Sequence, residues 1–291
     1  MSCPGTSVRI DDCSLWVVER GPADGFPLIV LHGGPGLDHH EFADYLDPLT
    51  ERGYRLLLVD LRACGRSEVP PERSWTLERH AQDVIMLARS LRLDRYAVLG
   101  HSFGAFVALQ NAVDYQGMAA QTIVSSGVAS MRWLEAVEPN LLAFEPASLR
   151  RQVADSWARE PDVHTREEFA SVMVDQFPFH FADPVDPRID DYLARVTGTV
   201  YAPDVLRHFA TTDAGDIELE DRLNEVASPM LVLAGRHDRT CVPEAAEAIA
   251  AGVPRAELVV FEHSGHMAFV EEQDAYLAAV SGFLDRRRGP S

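Results

Sequence analysis

Residues 100–104 read Gly100-His101-Ser102-Phe103-Gly104, a G-x-S-x-G string between an apolar strand pattern and an apolar helix pattern. A serine lifted onto so sharp a strand-to-helix turn is placed to act as a nucleophile. Glycine is needed two residues to either side because the chain there folds too tightly for side chains. The following helix turns its positive end toward the hydroxyl. A serine hydroxyl is a weak nucleophile, so it needs a base to take its proton and an acid to orient the base. Two later strand patterns end in such groups: Leu233-Ala234-Gly235-Arg236-His237-Asp238 offers Asp238, and Phe261-Glu262-His263-Ser264-Gly265-His266 offers His266. His263 competes as the base, but Ser264-Gly265 lets the loop turn inward and bring His266 to the site. The strand pattern at 122–124 is followed only by Ser125, Ser126 and Gly127, so elimination favours Asp238 as the acid.

A third element is Leu31-His32-Gly33-Gly34-Pro35-Gly36, directly after a strand pattern. Glycines there let the backbone N–H of Gly34 face an oxyanion, and the N–H of Phe103 supplies a second donor. A phosphate cradle is the other use of such a loop, but no G-x-G-x-x-G opens a helix here.

These groups require strands that end on one sheet edge. Apolar runs at 28–31, 55–59, 96–99, 122–124, 230–233 and 258–261 are bounded by Gly, Asp or Ser, and several precede helical patterns, which predicts a mostly parallel α/β sheet. Residues 14–18 read as an antiparallel edge strand. The alternation stops between 129 and 213, a span too long for a loop. It is read as an inserted helical cap, with residues 1–128 and 214–291 as the core. The cap is rich in aromatics, and Phe177-Pro178-Phe179-His180-Phe181 shows neither strand nor helix periodicity. Phe177 and Phe179 are expected to line an apolar pocket wall.

Composition narrows the chemistry further. The chain has 291 residues and a formal net charge of -19, which disfavours nucleic acid and anionic membranes as partners. All 26 basic residues are arginine, so no lysine Schiff base, pyridoxal-phosphate anchor or P-loop lysine exists. Cys3, Cys13, Cys64 and Cys241 lie far apart without metal-ligand spacing, so free thiols in a reducing cytoplasm are expected and no metal or disulfide is assigned. No leader or membrane-length apolar run is read, and the arginine-rich end at 286–291 reads as a frayed tail.

Taken with Asp60-Leu61-Arg62-Ala63-Cys64-Gly65-Arg66-Ser67, the strings around Gly34, Ser102, Asp238 and His266 resemble the α/β-hydrolase superfamily, and His32-Gly33-Gly34-Pro35-Gly36 resembles its proline iminopeptidase branch. The resemblance implies an eight-stranded sheet, a helical lid and hydrolysis through an acyl-enzyme without metal or cofactor. It implies a structural turn at 60–67, in which Ala63 stands where relatives have glycine. Relatives that cleave N-terminal proline hold the amine with acids near the site, one often beside the triad acid. Here Arg239 follows Asp238, and it is expected near the pocket, favouring a substrate carboxylate or polar oxygen over an ammonium. Glu135, Glu138, Glu145, Glu160, Glu167 and Glu168 of the cap, with Glu218 and Glu220 just beyond it, are read mostly as a solvated face. The expected substrate is a small molecule or short peptide carrying an ester, amide or lactone. The alternatives are a strict prolyl aminopeptidase, a lyase or cofactor-free oxygenase reusing the triad, and a ligand receptor with little turnover.

Overall fold

The computed structural model describes residues 5–286, the side chains of 213 and 214 excepted; Cys3 and the tail at 287–291 lie outside the described residues. One eight-stranded sheet runs in the order β1-β2-β4-β3-β5-β6-β7-β8. Its strands are β1 (Thr6–Arg9), β2 (Ser14–Arg20), β3 (Phe26–Leu31), β4 (Tyr54–Val59), β5 (Ala97–His101), β6 (Gln121–Ser125), β7 (Met230–Gly235) and β8 (Ala256–Phe261). The pairs from β4 through β8 are parallel, whereas β1 with β2 and β2 with β4 are antiparallel.

The expected edge strand at 14–18 is therefore not the edge, because β1 covers it with Thr6 opposite Val17. β1 is four residues long and mostly exposed, so it lacks the apolar alternation that marks a half-buried strand.

The continuous apolar runs have a direct cause. Ile29, Leu31, Leu57 and Val59 pack into a core on one face of the sheet, while Leu28, Val30, Leu56 and Leu58 pack on the other. A period of two thus sorts each run between two buried faces. The first face is covered by helices α2 (Leu77–Ser90) and α3 (Phe103–Asp114), and the second by α1 (Pro48–Glu51). Thr76 caps α2 by accepting from the N–H of Arg79. Truncating a leucine such as Leu57 to alanine would cost about 2–5 kcal/mol.

Between β6 and β7 the chain is helical: α4 (Val137–Ala143), α5 (Ala147–Arg159), α6 (Arg166–His180), α7 (Arg188–Arg195), α8 (Pro203–Thr211) and the single turn α9 (Asp213–Asp216). Thr165 and Glu168 form a reciprocal capping box at the start of α6. Residues 177–180, read from sequence as having no helix period, are the last turn of α6. The period is hidden because that turn is buried on opposite sides: Phe177 packs into the sheet-side core, and Phe179 packs with Phe144 and Val153 of the inserted helices. Three helices complete the chain: α10 (Pro243–Gly252) joins the first face, α12 (Gln273–Asp285) the second, and α11 (Ala268–Glu271) leads into α12.

Candidate active site

Ser102 links β5 to α3 with φ 53° and ψ -120°, a conformation side chains rarely adopt. The sequence makes that turn possible, since a Cβ on Gly100 would lie 2.0 Å from the carbonyl oxygen of Gly104, and one on Gly104 2.3 Å from that of Leu31. The Ser102 N–H donates to the carbonyl of Ser125 at 3.0 Å, fastening the elbow to the neighbouring strand. Phe103 is the first residue of α3, so its N–H has no acceptor within the helix.

Asp238 follows β7, and its Oδ1 accepts the N–H groups of Thr240 and Cys241, each at 2.9 Å. Its Oδ2 lies 2.8 Å from Nδ1 of His266, leaving Nε2 of the imidazole for other chemistry. Burial works against the charged imidazole, but the Asp238 charge and hydrogen bond, with Glu41 and Glu271, outweigh it and raise the pKa of His266. His263, the rival base, is exposed and bonded through its backbone N–H to Glu272.

Ser102, Phe103, Gly34 and His266 line one cavity of about 330 Å³. No hydrogen bond joins Ser102 to His266 among the described residues, a separation common before substrate aligns the two. Most of the remaining wall is apolar and comes from the inserted helices, including Val137, Trp157, Phe169, Met173, Phe177 and Leu206.

Two expectations for the wall change. Phe177 lines the cavity, whereas Phe179 is fully buried away from it, its ring 5.3 Å from that of Phe144. Arg239 does not reach the cavity either. Its guanidinium donates to the carbonyls of Phe179, Phe181 and Ala182, at 3.1, 2.6 and 3.0 Å, and lies over the Phe144 ring. The physical reason is the end of α6, whose last carbonyls lack intrahelical donors and attract a cation. No arginine is among the described lining residues, so the expected repulsion of a substrate ammonium by a lining guanidinium is not found there.

Sequence reasoning missed the roles of four groups in or beside the cavity. His101 and His180 place their rings 5.0 and 5.1 Å from that of His266. Burial, aided by His266, holds both well below the usual histidine range. Neither ring nitrogen of His101 has a hydrogen-bond partner among the described residues. Glu41 is 5% exposed and lines the cavity. Glu160, expected on a solvated face, also lines it, accepting from Gln176 at 2.6 Å; burial pushes its carboxyl up to about 7 against that donation. His101 lies within the G-x-S-x-G string itself, at its unspecified position, whereas no linear motif marks Glu41, Glu160 or His180, which the 39–42 turn and the inserted segment bring in from distant sequence.

Beside the site, Asp38, His39 and His40 bring metal-type ligand atoms within 4.8 Å of one another. Hydrogen bonds occupy them: His39 Nδ1 lies 2.6 Å from Asp60, and His40 Nδ1 lies 3.0 Å from Asp38, which also accepts the N–H of Val200. Asp60 accepts the N–H of Arg66 as well, closing the turn at 60–67.

The alpha/beta hydrolase fold family matches residues 27–273 of the chain. The chain is 28% identical to the proline iminopeptidase of Clostridium botulinum over 89% of its own length and 90% of that protein's, and 28% identical to that of Saccharolobus solfataricus over 89% and 84%. Among solved structures, proline iminopeptidase from Mycobacterium smegmatis superposes with a TM-score of 0.75 at 25% identity, covering 97% of this chain and 98% of that one. An esterase from Exiguobacterium antarcticum shares the fold, with a TM-score of 0.75 at 21% identity over 97% and 100% of the two chains.

Proposed function

The chain belongs to the α/β-hydrolase fold family and resembles its proline iminopeptidase branch, and from that premise we propose that it is a serine hydrolase working through an acyl-enzyme. The observation that carries this reading is the Asp238–His266 pair, 2.8 Å apart, on the cavity into which Ser102 opens from its positive-φ elbow. Ser102 Oγ attacks the acyl carbon, Nε2 of His266 takes its proton and returns it to the leaving group, and Asp238 holds the imidazole in the required tautomer. The N–H groups of Gly34 and Phe103 bind the oxyanion. Water then repeats the cycle to release the acid.

The helices between β6 and β7 act as the cap of this reading. They supply a predominantly apolar wall that favours a small ester, amide or lactone with an apolar acyl group. Narrower aminopeptidase specificity is a second reading, favoured by one observation: Glu160 puts a carboxyl on the cavity wall, where an ammonium would find a partner. No described helix is long and apolar enough to cross a membrane, and the buried free thiols Cys13, Cys64 and Cys241 support a reducing, cytoplasmic setting.

A fluorophosphonate probe tests the nucleophile. Labelling mapped to Ser102 and lost in Ser102→Ala is the expected result; labelling elsewhere, or none, would sink the proposal. Comparing proline β-naphthylamide with p-nitrophenyl butyrate separates the two substrate readings.

A further inference from the structure

Glu41 sits in the short turn His39–Phe42, with its carboxyl inside the site rather than at the surface. Its Oε2 accepts the N–H of Gly33 at 2.6 Å. The carbonyl of Gly33 is held in turn by His32 Nδ1 at 2.8 Å, so Gly33 is fixed through both its N–H and the carbonyl of the peptide leading to Gly34. The other oxygen, Oε1, lies on the same side of Gly33 as Ser102: a Cβ placed on Gly33 would lie 2.6 Å from Oε1 and 2.9 Å from the Cβ of Ser102. Oε1 is also 4.0 Å from Nε2 of His101, beyond hydrogen-bond distance. One oxygen of a buried carboxyl is thus occupied by the oxyanion loop, and the other is left toward the reacting centre.

We propose that Glu41 is a third donor to the oxyanion, a neutral carboxylic acid whose Oε1–H bonds the charge that develops beside Gly34 and Phe103. The proposal rests on the Ser102 reading above. An ionised carboxylate in that place would repel the oxyanion, so the group must be protonated. Burial, the largest influence, pushes Glu41 up to about 8, against the Gly33 donation and the nearby His266 and with the help of Asp38. The groups facing it are His101 from β5, His266 from the loop after β8 and Asp38 from its own turn, while Tyr192 of α7 donates to its backbone carbonyl at 2.9 Å. Because Oε2 already accepts an N–H, the proton belongs on Oε1.

In the step itself, Ser102 Oγ bonds the acyl carbon, its proton passes to Nε2 of His266, and the C=O π pair moves onto oxygen. Glu41 lends a hydrogen bond to that oxygen and keeps its proton. On collapse the pair returns, the bond to the leaving group breaks, and the leaving group takes the proton from His266.

Steady-state hydrolysis of p-nitrophenyl butyrate across pH tests this. Glu41→Ala should lower kcat roughly a hundredfold with little change in KM, the loss typical of one oxyanion donor. Glu41→Gln keeps an acceptor for Gly33 and a donor toward the cavity, and should recover most of that loss. In the parent enzyme kcat/KM should fall above about pH 8 as Glu41 ionises, and this limb should vanish in Glu41→Gln. If Glu41 only positioned the loop, ionisation would strengthen its bond to Gly33 and no alkaline loss would follow. An unchanged kcat in Glu41→Ala, or an alkaline limb kept in Glu41→Gln, would overturn the proposal. A parallel fluorophosphonate arm on the parent separates the failures: with Ser102 labelled, those results remove only the role of Glu41, whereas an unlabelled Ser102 removes both readings.

Discussion

The backbone N–H of His266 donates to the carbonyl of His180 at 2.7 Å, which fixes the imidazole loop against the last turn of α6. Gly265 makes the approach possible, since a Cβ there would lie 2.5 Å from the same carbonyl oxygen. Glu271 adds a clasp, accepting the N–H groups of Gly265 and Ala182 at 2.7 and 2.8 Å. The loop that carries His266 and the end of α6 are therefore one packed unit.

Arg239 belongs to that unit, and its loss leaves three carbonyls without their charged donor. Arg239→Ala should lower unfolding stability by about 2 kcal/mol and reduce kcat with little effect on substrate choice. Urea denaturation and a substrate panel check this; unchanged stability with a shifted preference toward amines would restore a pocket role for the guanidinium.

His266→Ala should lose on the order of a millionfold in kcat, because members of such a triad act as a unit. His263→Ala should stay near the parent rate, its side chain being exposed. Kinetics of the two variants side by side give the ranking, and a reversed order would show the wrong histidine had been assigned.

The two phenylalanines should behave differently. Phe179→Ala empties the packing against Phe144 and Trp157 and should cost about 3–5 kcal/mol, with substrate preference retained. Phe177→Ala opens the cavity wall and should shift preference toward bulkier acyl groups. Melting curves and acyl-chain profiles of the pair decide whether the roles are divided this way.

That Asp238 and His266 would meet beside Ser102 was legible in the sequence because each follows an apolar strand within a few residues, where a parallel sheet gathers its loops on one edge. Gly100 and Gly104 were legible for a steric reason that the close backbone approaches at both positions bear out. β1 was not, because an exposed four-residue edge strand has no apolar signature. Arg239 was misread because neighbours in sequence need not point the same way: Asp238 turns to His266 while the next side chain turns to α6. Glu41 and Glu160 could not be told from surface acids, since their burial is created by helices distant in the chain.

Ala63 has φ 62° in the turn between β4 and α2, a region that costs a residue with a Cβ about 1–2 kcal/mol. Ala63→Gly should raise stability by roughly 0.5–1 kcal/mol after allowing for the greater freedom of glycine when unfolded. A lower urea midpoint in the variant would mean that the alanine methyl contributes more through packing than the backbone costs.

Stability should fall between about pH 6.5 and 8. Glu41, Glu160 and Glu271 sit at about 8, 7 and 7 against an unfolded 4.5, so the folded chain holds protons that the unfolded chain has released. The lowered histidines His32, His80, His101 and His180 oppose this only below about 6.5, where the unfolded chain charges them. His266, raised, acts with the carboxyls, its contribution lost as pH rises through its folded value. Thermal unfolding across this window should show the decline, flattened in Glu41→Gln; a rise with pH would contradict these assignments.

The most direct test of the central claim is rapid mixing of the enzyme with p-nitrophenyl acetate, followed by intact-mass and peptide analysis of the quenched protein. A burst of p-nitrophenolate equal to the enzyme present, with one acetyl group on Ser102 that disappears as substrate is exhausted, is the predicted result. Turnover that persists in Ser102→Ala, or an acetyl group carried by another residue, would contradict it.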